Sequence, residues 1–207
     1  SLSLDNVAYG NFMVYDGKQI EIGEYIDPNS FVTQQHVNFV FSFNKYKTQD
    51  ILLPDHSWLT ISDLGGGWNK LTALQLSTIN TNITELADHF LEDCENLKAI
   101  DLSGFKNIKK IGNSFLHGCE SFNQEVKLPK SLESIGDAFM ENCKSFNQPI
   151  QLPETLKSIG NEFMYGCRSF NQPMTIPDSI MVIPHKFMKK CFAFNNKLTL
   201  SENLLAI

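Results

Sequence analysis

The sequence predicts a solenoid of stacked repeats with parallel β-strands, and three observations support this fold class. All five cysteines recur, at separations of 25, 24, 24 and 24 residues. Each has a phenylalanine four residues before it and a leucine or phenylalanine three residues after it. Because a unit of 24 residues is too short to enclose its own apolar side chains, successive units must bury them against one another. The three columns are Cys94, Cys119, Cys143, Cys167 and Cys191; Phe90, Phe115, Phe139, Phe163 and Phe187; and Leu97, Phe122, Phe146, Phe170 and Phe194.

Each unit divides into a strand, a second apolar pair and a turn. Residues 149–153 alternate apolar and polar side chains between two prolines, which is typical of a strand. Leu156 and Ile159 form the apolar pair, and Phe163 and Cys167 have the spacing of a short helix or 3₁₀ turn. Equivalent strands would pair in parallel, about 4.8 Å apart. The expected core ladders are Val126, Ile150, Met174 and Leu198; Leu128, Leu152, Ile176 and Leu200; and Ile111, Ile135, Ile159 and Ile183.

A column of asparagines directly follows the second phenylalanine column. Its members are Asn123, Asn147, Asn171 and Asn195. A buried amide at every bend can satisfy backbone groups that the bend leaves unpaired, by bonding up and down the stack. The alternative is an exposed row that faces a partner. We favour the structural role, since a surface asparagine has no need to recur at one register.

The units resemble the BspA-type leucine-rich repeat. The matching residues in one unit are Leu152-Pro153, Leu156, Ile159-Gly160, Phe163 and Cys167, and residues 82–207 carry their equivalents. Fewer matches continue back to about residue 51. The resemblance implies an α/β repeat fold: a right-handed leucine-rich-repeat solenoid with a parallel β-sheet on its concave face and short helical or 3₁₀ turns elsewhere. Pro184 departs from the pattern, because it stands where other units have glycine.

The chain divides into an N-terminal segment and the repeats. We expect residues 1–46 to form a small β-rich arm or cap, with a hairpin turn at Asp16-Gly17 and a strand through Phe39, Phe41 and Phe43. Residues 47–207 form the solenoid, in which Trp58 and Trp68 are candidates to cover the open end of the core. Its degenerate units span residues 51–81; its regular units are 82–106, 107–130, 131–154, 155–178 and 179–202, and residues 203–207 begin a further one. No polar residues cover that last face, so we expect either a fragment of a longer protein or a neighbour that covers it.

Composition excludes several classes of protein. Hydrophobic residues make up 42% and charged residues 19%, which excludes a disordered chain and a coiled coil. A net charge of −6 without a basic tract argues against nucleic acid as a partner. No apolar run approaches the roughly 20 residues of a membrane span, so we expect no membrane insertion.

The sequence carries no recognisable catalytic or metal-binding motif. The cysteines lack a C-x-x-C pair, and a column spreads thiols along a line, whereas zinc needs four ligands around one point. We interpret them as small buried apolar residues; a zinc site or an occasional disulfide is the alternative. The five histidines share no register, and no nucleophile motif of the G-x-S-x-G type occurs. We therefore expect no enzyme activity and no cofactor.

The outward positions on the predicted strands are the candidate partner-binding residues. Between two inward positions a strand residue must point away from the core. These residues are Asp101, Lys127, Gln151, Thr175 and Thr199, with Glu125 and Lys197 beside them.

The functional hypothesis is a non-catalytic module that binds a protein partner. The resemblance implies an adhesin-like protein at the cell surface or outside the cell. A structural component of a larger assembly, such as a phage or virus particle, is the alternative; it would dock or self-associate through the N-terminal arm and the repeat ends. An intracellular scaffold and an accessory repeat of an enzyme rank below both.

Overall fold

Parallel pairing between equivalent residues of successive units organises the fold. The computed structural model describes residues 84–86, 88–101 and 106–207, together with short strand backbones before residue 84. The strands are β1 (Phe12–Tyr15), β2 (Lys18–Glu21), β3 (Tyr25–Ile26), β4 (Gln49–Leu52), β5 (Trp58–Ile61), β6 (Ala73–Gln75), β7 (Glu85–Leu86), β8 (Ala99–Asp101), β9 (Lys110–Ile111), β10 (Ser134–Ile135), β11 (Ser158–Ile159), β12 (Met174–Thr175) and β13 (Leu198–Thr199).

The longest parallel sheet of the described residues is built from the second apolar pair of each unit. Strands β7, β9, β10 and β11 lie in that order and pair in parallel. Ile111, Ile135 and Ile159 lie side by side in this register, as the predicted isoleucine ladder requires. The next N–H along the chain extends each pairing, since Gly136 donates to the carbonyl of Ile111 at 2.8 Å and Gly160 to that of Ile135 at 2.8 Å.

The four-stranded sheet ends at β11 because of Pro184. This residue occupies the position of Gly136 and Gly160, but proline has no N–H with which to bond the preceding unit. Val182 pairs instead with Ala206, and the N–H of Ile183 donates to the Ala206 carbonyl at 3.1 Å. One proline thus limits the sheet without interrupting the stack of units.

The proline-flanked strands pair less continuously than predicted. Val126 and Ile150 make an isolated parallel bridge, and β12 pairs in parallel with β13. Pro149 and Pro173 precede the inward residues of their units, and neither can donate a backbone hydrogen bond. The single sheet that was predicted for the proline-flanked strands is therefore divided into short pairings.

The turn before each cysteine is not helical, which differs from the predicted helix or 3₁₀ structure. Within the described parts of residues 84–207 no α-helical or 3₁₀ segment occurs. The residues five, three and one before each cysteine instead have φ between 50° and 73°. Twelve of them donate their N–H to a carbonyl of a neighbouring unit, at 2.7–2.9 Å. A left-handed conformation costs an L-residue about 1–2 kcal/mol, and these bonds between units offset that cost.

The core consists of the predicted columns. Two stacks of phenylalanine rings run along it, with centroids 5.0–5.6 Å apart from Phe90 to Phe187 and 5.8–6.1 Å apart from Phe122 to Phe194. Neighbouring rings are within 13° of parallel, an arrangement that favours offset stacking. Seven of the phenylalanines in the described residues are fully buried. The columns become partly exposed in the last unit, where Leu198 and Leu200 of the predicted ladders are exposed and do not belong to the core.

The strands before residue 84 confirm two local predictions. β1 pairs antiparallel with β2, and Tyr15 opposite Lys18 leaves a connection of two residues, as expected of the Asp16-Gly17 hairpin. β6 pairs in parallel with β8, as predicted for the strands of successive units, and β3 adds to the other side of β6. β4 and β5 are antiparallel, so they do not make the parallel pairing of a repeat unit. The predicted strand at Phe39 to Phe43 and the predicted covering residue Trp68 lie outside the described residues.

Candidate recognition surface

The cysteine column forms one uniform set of hydrogen bonds in the core. The thiols of Cys119, Cys143, Cys167 and Cys191 donate to the carbonyl oxygens of Leu91, Leu116, Met140 and Met164, at 3.1–3.2 Å. Each acceptor lies in the unit before that of the donor, three residues before the cysteine of the acceptor's own unit. All five cysteines are free thiols.

The environment of these thiols opposes both nucleophilic and metal chemistry. Burial raises the pKa of Cys143 and of Cys167 well above the ordinary value, and raises the pKa of Cys191 to about 11. A protonated thiol is neither a good nucleophile nor a metal ligand. Among the described residues, no group of three or more His, Cys, Asp or Glu side chains could hold a metal ion. The thiol hydrogen bonds of the column join successive units within the core.

The asparagine column also bonds from unit to unit. The Oδ1 atoms of Asn123, Asn147 and Asn171 accept from the N–H of the next asparagine at 2.8–2.9 Å. Its position differs from the expected one, because Asn123 and Asn195 are exposed and the other two are half-buried. The bend lies at the surface, yet its N–H groups still need acceptors that point along the stack.

A second column of the same kind was not predicted. Asp88, Asn113, Asp137 and Asn161 each accept, through Oδ1, the N–H of the residue one unit further on, at 2.7–3.1 Å. These residues stand six before each cysteine, at the start of the turn. The recurrence of Asp or Asn at that position could have indicated this column. It was overlooked because charged and neutral side chains alternate there, although both kinds accept a hydrogen bond through Oδ1.

The predicted outward row lies on the surface wherever the structure describes it. Lys127, Gln151, Thr175 and Thr199 are all exposed, while Ile150 and Met174 beside them are buried. Thr175 and Thr199 are direct neighbours in β12 and β13. Glu125 and Lys197 are exposed as well, and the backbone of Asp101 lies in β8, paired with Gln75. The row therefore offers a basic residue, an amide and two hydroxyls at one register.

A second polar surface runs along the turns, where histidine and carboxylates meet. His117 Nδ1 lies 3.6 Å from Glu92 and 3.8 Å from Asp93 of the preceding unit, and its Nε2 lies 3.8 Å from Glu141 of the next. The nearby Asp93 carboxylate raises the pKa of His117, and the charges of Glu141 and Glu92 add to that effect. Burial raises the pKa of Glu141. Both groups retain a proton to higher pH than usual, which limits the repulsion within this cluster.

The described residues contain no helix long and apolar enough to cross a membrane. The amino-acid sequence matches the BspA type leucine rich repeat region in six copies, over residues 40–149 and 109–207. A comparison with curated proteins finds no match.

Two solved structures share the fold. The leucine-rich repeat protein TpLRR of T. pallidum superposes with a TM-score of 0.55 at 18% identity, covering 80% of this chain and 83% of that one. A leucine-rich repeat protein of Bacteroides ovatus gives a TM-score of 0.53 at 19% identity, covering 94% of this chain. The chain spans about half of the latter, 52% of its length. These identities establish the shared fold alone. Together with the match to the repeat family over most of the sequence, they confirm that the chain belongs to the BspA-type leucine-rich repeat family.

Proposed function

We propose that the protein is a non-catalytic module that recognises a protein partner at the cell surface, in the manner of an adhesin. The observation that carries this proposal is the separation between buried and exposed positions. The cysteine and phenylalanine columns are used for cohesion, whereas Lys127, Gln151, Thr175 and Thr199 are exposed at one register. Such a row can vary in sequence at little cost to the core, and solenoids present binding surfaces of this kind.

The chemistry of the row favours a protein over other partners. Its side chains are mixed in type, and Glu125 and Lys197 add one charge of each sign. Nucleic acid and anionic lipid select surfaces of one positive sign. A protein partner instead offers donors, acceptors and charges of both signs over a few residues. No cofactor is needed for recognition of this type.

Charge changes along the row test the proposal. The chain is applied to an array of purified extracellular proteins, and the Lys127→Glu, Gln151→Lys double variant is compared with the parent for each protein bound. We expect the variant to bind at least tenfold more weakly, with unchanged thermal unfolding. The control is Lys106→Glu with Asn107→Lys, which makes the same charge changes at exposed residues before β9. Binding that survives changes along the whole row contradicts the proposal.

The surface location needs a separate measurement. Cells that express the natural gene with its flanking sequence are labelled with an antibody to the repeats, before and after permeabilisation. Labelling of intact cells supports surface display, and labelling only after permeabilisation contradicts it.

A structural role in a larger assembly, such as a phage or virus particle, is the second candidate. Apolar side chains of the last units are exposed, with Leu205 79% and Ile207 89% accessible. Light scattering over a range of concentrations distinguishes the two functions. Self-association that Leu205→Glu with Ile207→Glu abolishes supports the assembly role, and a monomer at all concentrations contradicts it.

A further inference from the structure

The charge of the turn edge changes sign along the solenoid. The turn edge is the stretch from six residues before each cysteine to one residue after it. Its formal charge, with histidine neutral, is −4 in residues 88–95, −1 in 113–120, −1 in 137–144, 0 in 161–168 and +3 in 185–192. The core columns are the same in every unit, so the change in charge arises from side chains outside the core. It is therefore not required for folding.

The basic end of this edge combines free cations with aromatic rings. Lys189, Lys190 and Arg168 are exposed, and among the described residues none of them has a carboxylate within ion-pair distance. Lys190 Nζ lies 5.0 Å from the centroid of the Tyr165 ring, a cation–π distance. Lys186 does not contribute a free charge, because its Nζ lies 2.6 Å from Glu162.

Phe192 completes this group. It stands directly after its cysteine, where Glu120, Lys144 and Arg168 stand in earlier units, and its side chain is 73% exposed. The Ala193 N–H donates to the Arg168 carbonyl at 3.1 Å, so Phe192 and Arg168 occupy equivalent places in adjacent units. The Gly166 N–H likewise donates to the Lys189 carbonyl at 2.8 Å, which places Lys189 next to Tyr165 in the stack. We define the lysine–aromatic patch as Tyr165, Arg168, Lys189, Lys190 and Phe192.

We propose that the lysine–aromatic patch is a second binding site, which takes an acidic segment of a partner protein. An exposed aromatic residue that lies close to cations in the chain and in the adjacent unit matches a segment that carries carboxylates around one apolar or aromatic side chain. The occupant is a short polypeptide because the rest of the molecule is acidic, with a net charge of −6. An extended anionic partner such as a membrane or a nucleic acid would meet repulsion beyond the patch. The patch lies on the turn edge, so its use is independent of the outward strand row.

The test is fluorescence anisotropy with a labelled 12-residue peptide of glutamates around a central phenylalanine. The comparison probes are the same peptide with glutamine for glutamate, and vesicles of phosphatidylcholine with one-fifth phosphatidylserine. We expect the acidic peptide to bind, and Lys189→Glu with Lys190→Glu to weaken binding at least tenfold. Phe192→Ala should weaken it several-fold at any salt concentration, whereas the lysine contribution should decline as salt rises.

The control variant is Lys106→Glu with Lys130→Glu, which changes the net charge equally at exposed lysines elsewhere. We expect it to bind the peptide like the parent. Undetectable binding of the acidic peptide, equal binding of the glutamine peptide, equal loss in the control, or binding to vesicles in place of the peptide each overturns the proposal. None of these results bears on the outward row, which the array experiment tests separately.

Discussion

The thiol of Cys143 donates a hydrogen bond to the carbonyl oxygen of Leu116 at 3.1 Å. That carbonyl also accepts the N–H of Cys119, at 3.2 Å, so one acceptor joins the turn of its own unit to the core of the next. A residue at this position must be small, apolar enough to be buried and able to donate a hydrogen bond. Cysteine meets all three conditions, and the repetition of this relationship accounts for the cysteine at every register.

Thiol reactivity should follow position in the stack. Cys94, Cys119, Cys143 and Cys167 are completely buried, whereas Cys191 is partly exposed in the last unit. We expect Ellman's reagent to modify Cys191 first and the four buried thiols only at the rate of unfolding. A Cys191→Ala variant should lose the early phase alone. A fast phase that persists in this variant and disappears in Cys143→Ala would contradict the buried column.

Asparagine substitutions should have unequal effects within one column. Asn147 Oδ1 accepts the Asn171 N–H at 2.9 Å and the Gln172 side-chain amide at 3.2 Å, so Asn147→Ala leaves both donors without this acceptor. We expect it to lower the free energy of unfolding by about 1 kcal/mol in urea titrations. Asn195→Ala is the matched control, because Asn195 Oδ1 accepts no hydrogen bond from the described residues. Equal losses in the two variants would show that the amide acceptor is not the cause.

The sequence predicted the core because burial imposes a strict register. A side chain such as Phe139 contacts its equivalents above and below, so the period of 24 residues is visible directly as columns. The outward row followed from the same register, since a residue such as Gln151 between two buried neighbours has to face outward.

Backbone conformation was less accessible to prediction. The spacing of Phe163, Met164 and Cys167 is compatible with a helix, but left-handed φ values at ordinary residues such as Met164 leave no trace in apolar periodicity. Bonds between units stabilise that conformation, and they appear only once the units are stacked. The lysine–aromatic patch was missed for the same reason, because the geometry of the turn decides which of its residues point outward.

Close approach of the backbones makes Gly136 difficult to replace. A Cβ at this position would lie 2.7 Å from the carbonyl carbon of Gly112 and 2.8 Å from the N atom of Asn113. These are backbone atoms of the adjacent unit, so they cannot move without separating the strands. We expect Gly136→Ala to lower the free energy of unfolding by about 3 kcal/mol, at the upper end of single substitutions. Ser134→Ala in β10, which directly precedes Gly136, is the control and should lose under 1 kcal/mol; a loss in Gly136→Ala no larger than this would contradict the close contact.

The His117 cluster should make stability depend on pH. The folded chain raises the pKa of His117 above its ordinary value of 6.5, through the nearby Asp93 carboxylate and the charges of Glu141 and Glu92. A group whose pKa is higher when folded binds more protons in the folded state, so stability falls as pH rises. The contribution of His117 is fully present below pH 6.5 and is lost as the pH rises through the folded-state pKa.

Glu141 contributes in the same direction at lower pH. Burial raises its pKa above the ordinary value of 4.5, so this carboxyl also holds its proton more tightly in the folded chain. Urea titrations at several pH values from 4 to 9 would measure both effects. We expect His117→Gln to flatten the loss of stability above pH 6.5, and Glu141→Gln to flatten the loss that begins near pH 4.5. His185→Gln changes an exposed histidine of the last unit and should leave the profile like that of the parent. A parent profile that rises between pH 6.5 and 9, or one that His117→Gln leaves unchanged, would show that Glu92, Asp93 and Glu141 do not hold the proton on His117.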